Sequence, residues 1–183
     1  MSRILQYLSI RIVRPLFQSI LVTRLKHKEK INVVFIAANL SMWRYQNIYE
    51  LLKKHSRFNV SIVIIPFLPY SQDQQKKDVE ALKSYFESLG IHYYLGGDGS
   101  ELDIRKDLNP DVMFYPQPYQ GLFGYKYDYY NFRDRLLCYY PYAFWMSTGA
   151  WSYNQPLHIF AWKLFYSTEL HRRDSRMFYQ QLH

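Results

Sequence analysis

Two apolar, β-branched runs constrain this chain most. Residues 31–38 hold Ile31, Val33, Val34, Phe35 and Ile36, and residues 60–66 hold Val60, Ile62, Val63, Ile64 and Ile65. Runs of this kind suit strands buried on both faces, as in a parallel sheet covered by helices. Between and after them come helical patterns, over about 44–55 and 74–89. The second of these sets Val79, Leu82, Tyr85, Phe86 and Leu89 on one face, and Gly90 is its stop signal.

The alternation continues. A third strand is expected over 91–95, followed by a turn through Gly96, Gly97, Asp98 and Gly99. A short helix over 101–107 leads to a fourth strand over 112–115. A helix around 129–133 precedes a fifth strand over 136–140. A final helix is expected from near Pro156, a favoured first helical position, running toward Leu182. Strands alternating with helices on short connections predict an α/β class fold: an open, mostly parallel Rossmann-like sheet flanked by helices. A length of 183 residues fits one such domain.

Charge divides the chain. The net charge is +8. Residues 1–30 carry seven cations (Arg3, Arg11, Arg14, Arg24, Lys26, Lys28 and Lys30) against Glu29 alone, so +6 belongs to this arm and +2 to residues 31–183. Ile4, Leu5, Leu8, Ile12, Leu16 and Ile20 follow helical spacing, with Arg3, Tyr7, Arg11, Arg14 and Gln18 on an opposing face. This reads as a basic amphipathic arm lying on a membrane surface, apolar side down and Arg toward phosphates. A helix packed on its own domain is the other reading. Pro15 is expected to kink or restart the helix. The stretch between Arg14 and Arg24 is too short to span a bilayer, and Arg11 and Arg14 interrupt any signal-peptide core. No basic stripe with interleaved aromatics marks the domain, so no nucleic acid partner is expected.

Cys138 is the single cysteine and lies in an apolar run, which reads as a small buried hydrophobe. No Cys/His cluster has metal-ligand spacing, so no metal is expected. No GxGxxG follows the first strand and no GxxxxGK[ST] is present, so no cofactor is expected.

In open parallel sheets ligands bind beyond the carboxyl ends of the strands. That rule selects residues 38–44, 66–71, 116–119 and 141–152. Asn39, Trp43 and Arg44 follow the first strand, where an Arg and backbone N–H groups suit a phosphate or acceptor hydroxyls, unless Trp43 simply packs on the sheet. Tyr115, Gln117 and Tyr119 follow the fourth strand. Tyr140, Tyr142 and Trp145 follow the fifth. These aromatics suit a polyol or glycan platform, and core packing is equally ordinary for them. Pro116, Pro118 and Pro141 stiffen the loops. His158 is the candidate catalytic base, and the competing reading, which the residues favour, is a half-buried imidazole against Trp162. Tyr125, Tyr127, Tyr129 and Tyr130 read as a loop cover. His171, Arg172 and Arg173 read as a solvated helix face.

Four segments carry a family resemblance: the opening strand, the stretch from Val112 to Tyr119 with its two prolines, the stretch from Cys138 to Phe144, and the closing Trp162/Phe165 pair. Together they resemble the CDP-glycerol glycerophosphotransferase family, the teichoic-acid polymerases and primases of bacterial surface-polymer synthesis. The resemblance covers residues 31–183 and matches the N-terminal, acceptor-side half of a GT-B-type transferase. It implies peripheral attachment to the inner face of the cell membrane, a cytoplasmic location and a lipid-linked polyol or glycan acceptor. It also implies a nucleotide donor held by a C-terminal domain, so a donor domain or partner chain is expected to complete the site. The family's Trp-His-Gly motif has no counterpart, since Phe144, Trp145, Met146, Ser147, Thr148 and Gly149 include no His. Two alternatives stand beside this reading. One is a non-catalytic binding module that docks on a separate donor-domain protein or polysaccharide-assembly complex. The other is half of a GT-B glycosyltransferase.

Overall fold

The computed structural model describes residues 9–97, 99–143 and 155–181, with side chains placed for residues 11–97, 99–143 and 155–175. A sheet of six strands forms its centre, in the order β3-β2-β1-β4-β5-β6. The strands are β1 Ile31–Ala37, β2 Phe58–Ile64, β3 Tyr94–Leu95, β4 Val112–Tyr115, β5 Leu136–Tyr139 and β6 Ala161–Leu164. Every neighbouring pair is parallel. The helices are α1 Arg14–Lys26, α2 Gln46–Lys54, α3 Gln72–Ser88, α4 Pro156–Phe160 and α5 Glu169–Gln181. The expected open, parallel, Rossmann-like α/β sheet is therefore present.

Alternate residues of each central strand feed two separate cores. Val34, Ile36, Val63, Met113, Tyr115 and Leu137 pack with Ile104, Leu108, Phe123, Tyr127, Tyr129 and Phe132. On the other face Val33, Phe35, Ile62, Ile64, Phe114 and Cys138 pack with Trp43, Tyr45, Tyr49, Leu82 and Phe86. Burial on both faces explains why β1 and β2 read as continuous apolar runs rather than alternating ones.

Local signals set several boundaries. Ser71 caps α3 by accepting from the Gln74 N–H at 3.3 Å. At its other end Gly90 takes φ +62°, and the Ile91 N–H returns to the Phe86 carbonyl at 2.8 Å. That closure draws Ile91 into the core and leaves only Tyr94 and Leu95 to pair as β3, shorter than the expected 91–95. The expected helix over 101–107 is a five-residue π-type turn, Ile104–Leu108, capped by Asp103. Around 129–133 the chain forms a 3₁₀ turn, Tyr129–Phe132.

The single long closing helix expected from Pro156 is corrected. The chain forms α4, then β6, then α5. β5 would otherwise present an open edge, and β6 fills it: Leu137 pairs with Ala161 and Tyr139 with Leu164, while the Phe165 N–H donates to the Tyr139 carbonyl at 3.0 Å. Trp162 and Phe165 join one core, Phe160 and Leu164 the other. Sheet pairing thus overrides a helical spacing of apolar residues. His171 is corrected as well: it is buried rather than on a solvated face, although Arg172 pairs with Glu169 at 2.5 Å.

Candidate functional site at the carboxyl edge of the sheet

The strand order reverses between β1 and β4, so their carboxyl ends flank the crevice where open α/β sheets place ligands. Asn39 leaves β1 in extended backbone and is itself buried. Its Oδ1 accepts from the Met42 N–H at 3.0 Å and from the Ser41 hydroxyl at 2.8 Å. This cap folds the chain back over the sheet edge and sends Met42 and Trp43 inward. The Trp43 ring meets Phe86 edge-on at 4.8 Å, and its indole N–H donates to Gln46 Oε1 at 2.9 Å. Trp43 is therefore a packing residue.

Three loops are tied together above the crevice. Gln117, buried after β4, sets its Nε2 3.8 Å from Met42 Sδ. The exposed Arg44 donates from Nε to the Tyr142 carbonyl at 3.3 Å. Tyr119 sits near Tyr142, and burial first, then that neighbour, raises its hydroxyl pKa. Tyr140 packs on Tyr45 at 5.5 Å and on Phe165 at 5.3 Å. Tyr115 lies beneath, fully buried, donating to the Tyr127 carbonyl at 2.9 Å, with burial holding its pKa well above the ordinary phenol value. Asn39, Gln117, Arg44, Tyr119, Tyr140 and Tyr142 thus gather at one edge. Trp43 and Tyr115 form its support. Trp145 lies outside the described residues.

His158 sits in α4 and is 3% exposed. Its Nδ1 accepts from the Gln155 N–H at 3.1 Å, and its ring meets Tyr139 edge-on at 5.0 Å. Among the described residues its ring neighbour is Tyr139 rather than the expected Trp162, which joins the core on the opposite face. Burial pushes the imidazole pKa down to about 4, against the Gln155 hydrogen bond that opposes this. Burial thus favours the uncharged imidazole at neutral pH. Burial likewise pushes the Cys138 thiol up to about 12, so it is inert as a nucleophile. Among the described residues no group of three or more His, Cys, Asp or Glu could hold a metal ion.

An open pocket of about 380 Å³ lies at the same edge, on the β2/β3 side. Pro66 and Leu68 after β2, Gln72 and Gln75 of α3, Gly97, Gly99 and Ser100 after β3, and Tyr125 to Tyr127 line it. Residues 66–71 were selected from the sequence, but the glycine turn and Tyr125 were not. The overlooked signal is glycine spacing. Gly97, Gly99, Gly121 and Gly124 all take positive φ, which shapes the loops on either side of the pocket.

The amino edge carries the arm. A smaller cavity of about 250 Å³ lies between α1 and the domain, beside the Lys28–Asp111 ion pair at 2.5 Å. A π turn, Ser9–Val13, precedes α1, and Pro15 falls in the first turn of α1, so the expected restart occurs there. Arg14 and Gln18 face the domain: Arg14 donates to the Phe160 carbonyl at 2.6 Å and to the Arg133 carbonyl, and Gln18 donates to Phe160 at 3.2 Å. The expectation that Arg14 points toward lipid phosphates is thereby corrected. Leu21, Val22 and Leu25 pack on the domain. Ile12, Val13, Leu16 and Ile20 are 49–60% exposed. Among the described residues no helix is long and apolar enough to cross a membrane.

Fold and edge together define an open Rossmann-like α/β domain with a polar, aromatic carboxyl edge and a docked amphipathic arm. No protein-family model, curated protein or solved structure matches the chain.

Proposed function

We propose that this chain is the acceptor-side module of a glycerophosphotransferase-like enzyme of bacterial surface-polymer synthesis, held at the cytoplasmic face of the cell membrane. The observation that carries this reading is the carboxyl edge: Asn39, Arg44, Gln117, Tyr119 and Tyr142 converge from three loops at the switch point. Amides, a guanidinium and phenols suit the hydroxyls and phosphates of a lipid-linked polyol or glycan acceptor. Ile12, Leu16 and Ile20 form an outward apolar stripe on an arm that carries +6. Such a face enters the interfacial layer of an anionic bilayer. The chemistry needs a base on the acceptor hydroxyl and cations on the leaving pyrophosphate side. The nucleotide donor and those cations are assigned to a separate donor domain or partner chain.

A second reading is a non-catalytic binding module, and His158 favours it: the one candidate base is buried with Nδ1 engaged. A transfer assay with CDP-glycerol and acceptor-bearing membranes tests the first reading. No turnover is expected from this chain alone, and turnover by this chain without any partner would overturn the half-site assignment. Flotation with phosphatidylglycerol vesicles tests the membrane assignment, and equal flotation with neutral phosphatidylcholine would contradict the role of charge.

A further inference from the structure

We infer that the pocket lined by Gly97, Gly99, Ser100 and Tyr125 is a binding site for a polyhydroxylated ligand without anionic groups, a sugar ring or an open-chain polyol, stacked on Tyr125. Its volume of about 380 Å³ lies within the range of small-molecule sites, about 300–1,000 Å³. Tyr125 is 87% exposed, the most exposed large hydrophobic side chain among the described residues. Yet its backbone is held firmly: its carbonyl accepts from Asn131 Nδ2, and it opens a 3₁₀ turn directly after Gly124 at φ +76°. A rigid backbone presenting an uncovered aromatic face beside a concave wall is the arrangement that stacks on the C–H face of a sugar or polyol.

The described lining residues offer an anion little to hold. Lys126 is the one charged side chain among the described lining residues, and its ammonium is committed to the Ser100 carbonyl at 3.1 Å and lies 5.5 Å from the Tyr127 ring centre. Among the described lining residues the carboxamide of Gln72, the Gln75 carboxamide oxygen and the Tyr125 hydroxyl face a ligand, and they donate and accept as hydroxyl groups require. The Gln75 amide nitrogen already braces the wall, donating to the Tyr70 carbonyl at 2.7 Å. The strand end behind the pocket is tightly packed: a Cβ on Gly96 would lie 3.1 Å from the Tyr127 ring and 3.2 Å from Ile65. The pocket stands apart from the Asn39/Gln117 crevice and does not depend on the chain being part of a transferase.

The test is NMR titration of the full chain, labelled on tyrosine rings, with ribitol, maltotriose and cellotriose, and with inorganic phosphate alongside. Saturable shifts at Tyr125 with at least one polyol or sugar are expected, and no response to phosphate. Tyr125→Ala is expected to weaken that binding about threefold to tenfold, the size of one aromatic contact, and Tyr125→Phe, which keeps the stacking ring and loses the hydroxyl, to weaken it less. The ring is exposed, so neither variant disturbs the fold, and an unchanged unfolding midpoint checks this. Absence of binding by all three neutral probes, binding that survives Tyr125→Ala, or a site that responds to phosphate alone would each overturn the assignment. None of these outcomes depends on CDP-glycerol or on vesicles, so failure here is distinct from failure of the transferase reading.

Discussion

Arg14 donates to the Phe160 carbonyl at 2.6 Å, and this contact decides which way the arm faces. With Arg14 and Gln18 turned to the domain, helical geometry sends Leu16 and Ile20 outward. The guanidinium lies between the Arg133 and Phe160 carbonyls and over the Phe160 ring at 5.8 Å. Burial and the neighbouring Arg133 both depress its pKa. A cation held in this way is a fastener, and its loss leaves the Phe160 carbonyl with Gln18 alone and removes the donor to the Arg133 carbonyl.

Replacing the fastener is therefore costly. Arg14→Ala is expected to destabilise the chain by about 1–3 kcal/mol, since hydrogen bonds to charged groups are worth about that much. Urea unfolding measures it. A change within about 0.5 kcal/mol, the range of ordinary surface substitutions, would remove Arg14 from this role.

The outward stripe behaves differently. Leu16→Glu and Ile20→Glu sit at exposed positions and are expected to leave stability within about 0.5 kcal/mol of the parent. Both are expected to abolish flotation with phosphatidylglycerol vesicles. Retained flotation in the double variant would show that the stripe is not the lipid-facing surface.

Tyr45 shows a cost built into the core. It is fully buried among Phe35, Trp43, Phe114 and Tyr140, and its hydroxyl has no hydrogen-bond partner among the described residues. A buried hydroxyl left unsatisfied costs about 1–3 kcal/mol. Tyr45→Phe is expected to raise unfolding stability by about 1 kcal/mol, and a clear loss in the same urea titration would contradict this.

His158 predicts an acid-sensitive stability. Its folded pKa is about 4, below the ordinary value of 6.5, so the unfolded chain takes up the proton first. Above pH 6.5 both states are neutral and the group contributes no slope. As pH falls from about 6.5 toward 4, stability drops by something of order 2–3 kcal/mol. His158→Gln is expected to flatten that segment of the pH–stability curve. An unchanged slope would place the imidazole in a more solvated setting than its 3% exposure indicates.

The sheet was legible because β1 and β2 are buried on both faces, and a run such as Val33 to Ile36 admits few other structures. The carboxyl-edge rule also led to the loops around Asn39, Gln117 and Tyr142, which do meet. β6 was not legible. Leu157, Phe160 and Leu164 keep helical spacing, and only the open edge of β5, a tertiary fact, converts Ala161–Leu164 to strand. The burial of Trp43 was undecidable for a like reason: whether an aromatic after a strand points in or out depends on the Asn39 cap and the distant Phe86. The orientation of α1 escaped because residues on its polar face, Arg14 and Gln18, find carbonyls on the domain that no local pattern reveals.

The most direct test of the acceptor-side account is equilibrium binding by the full chain, comparing CDP-glycerol with vesicles that display polyprenyl-linked poly(glycerol phosphate). The account predicts saturable binding to the displayed polymer, weakened by Arg44→Ala and Gln117→Ala, and no measurable affinity for CDP-glycerol. Saturable CDP-glycerol binding with indifference to the polymer would contradict it and make this the donor side.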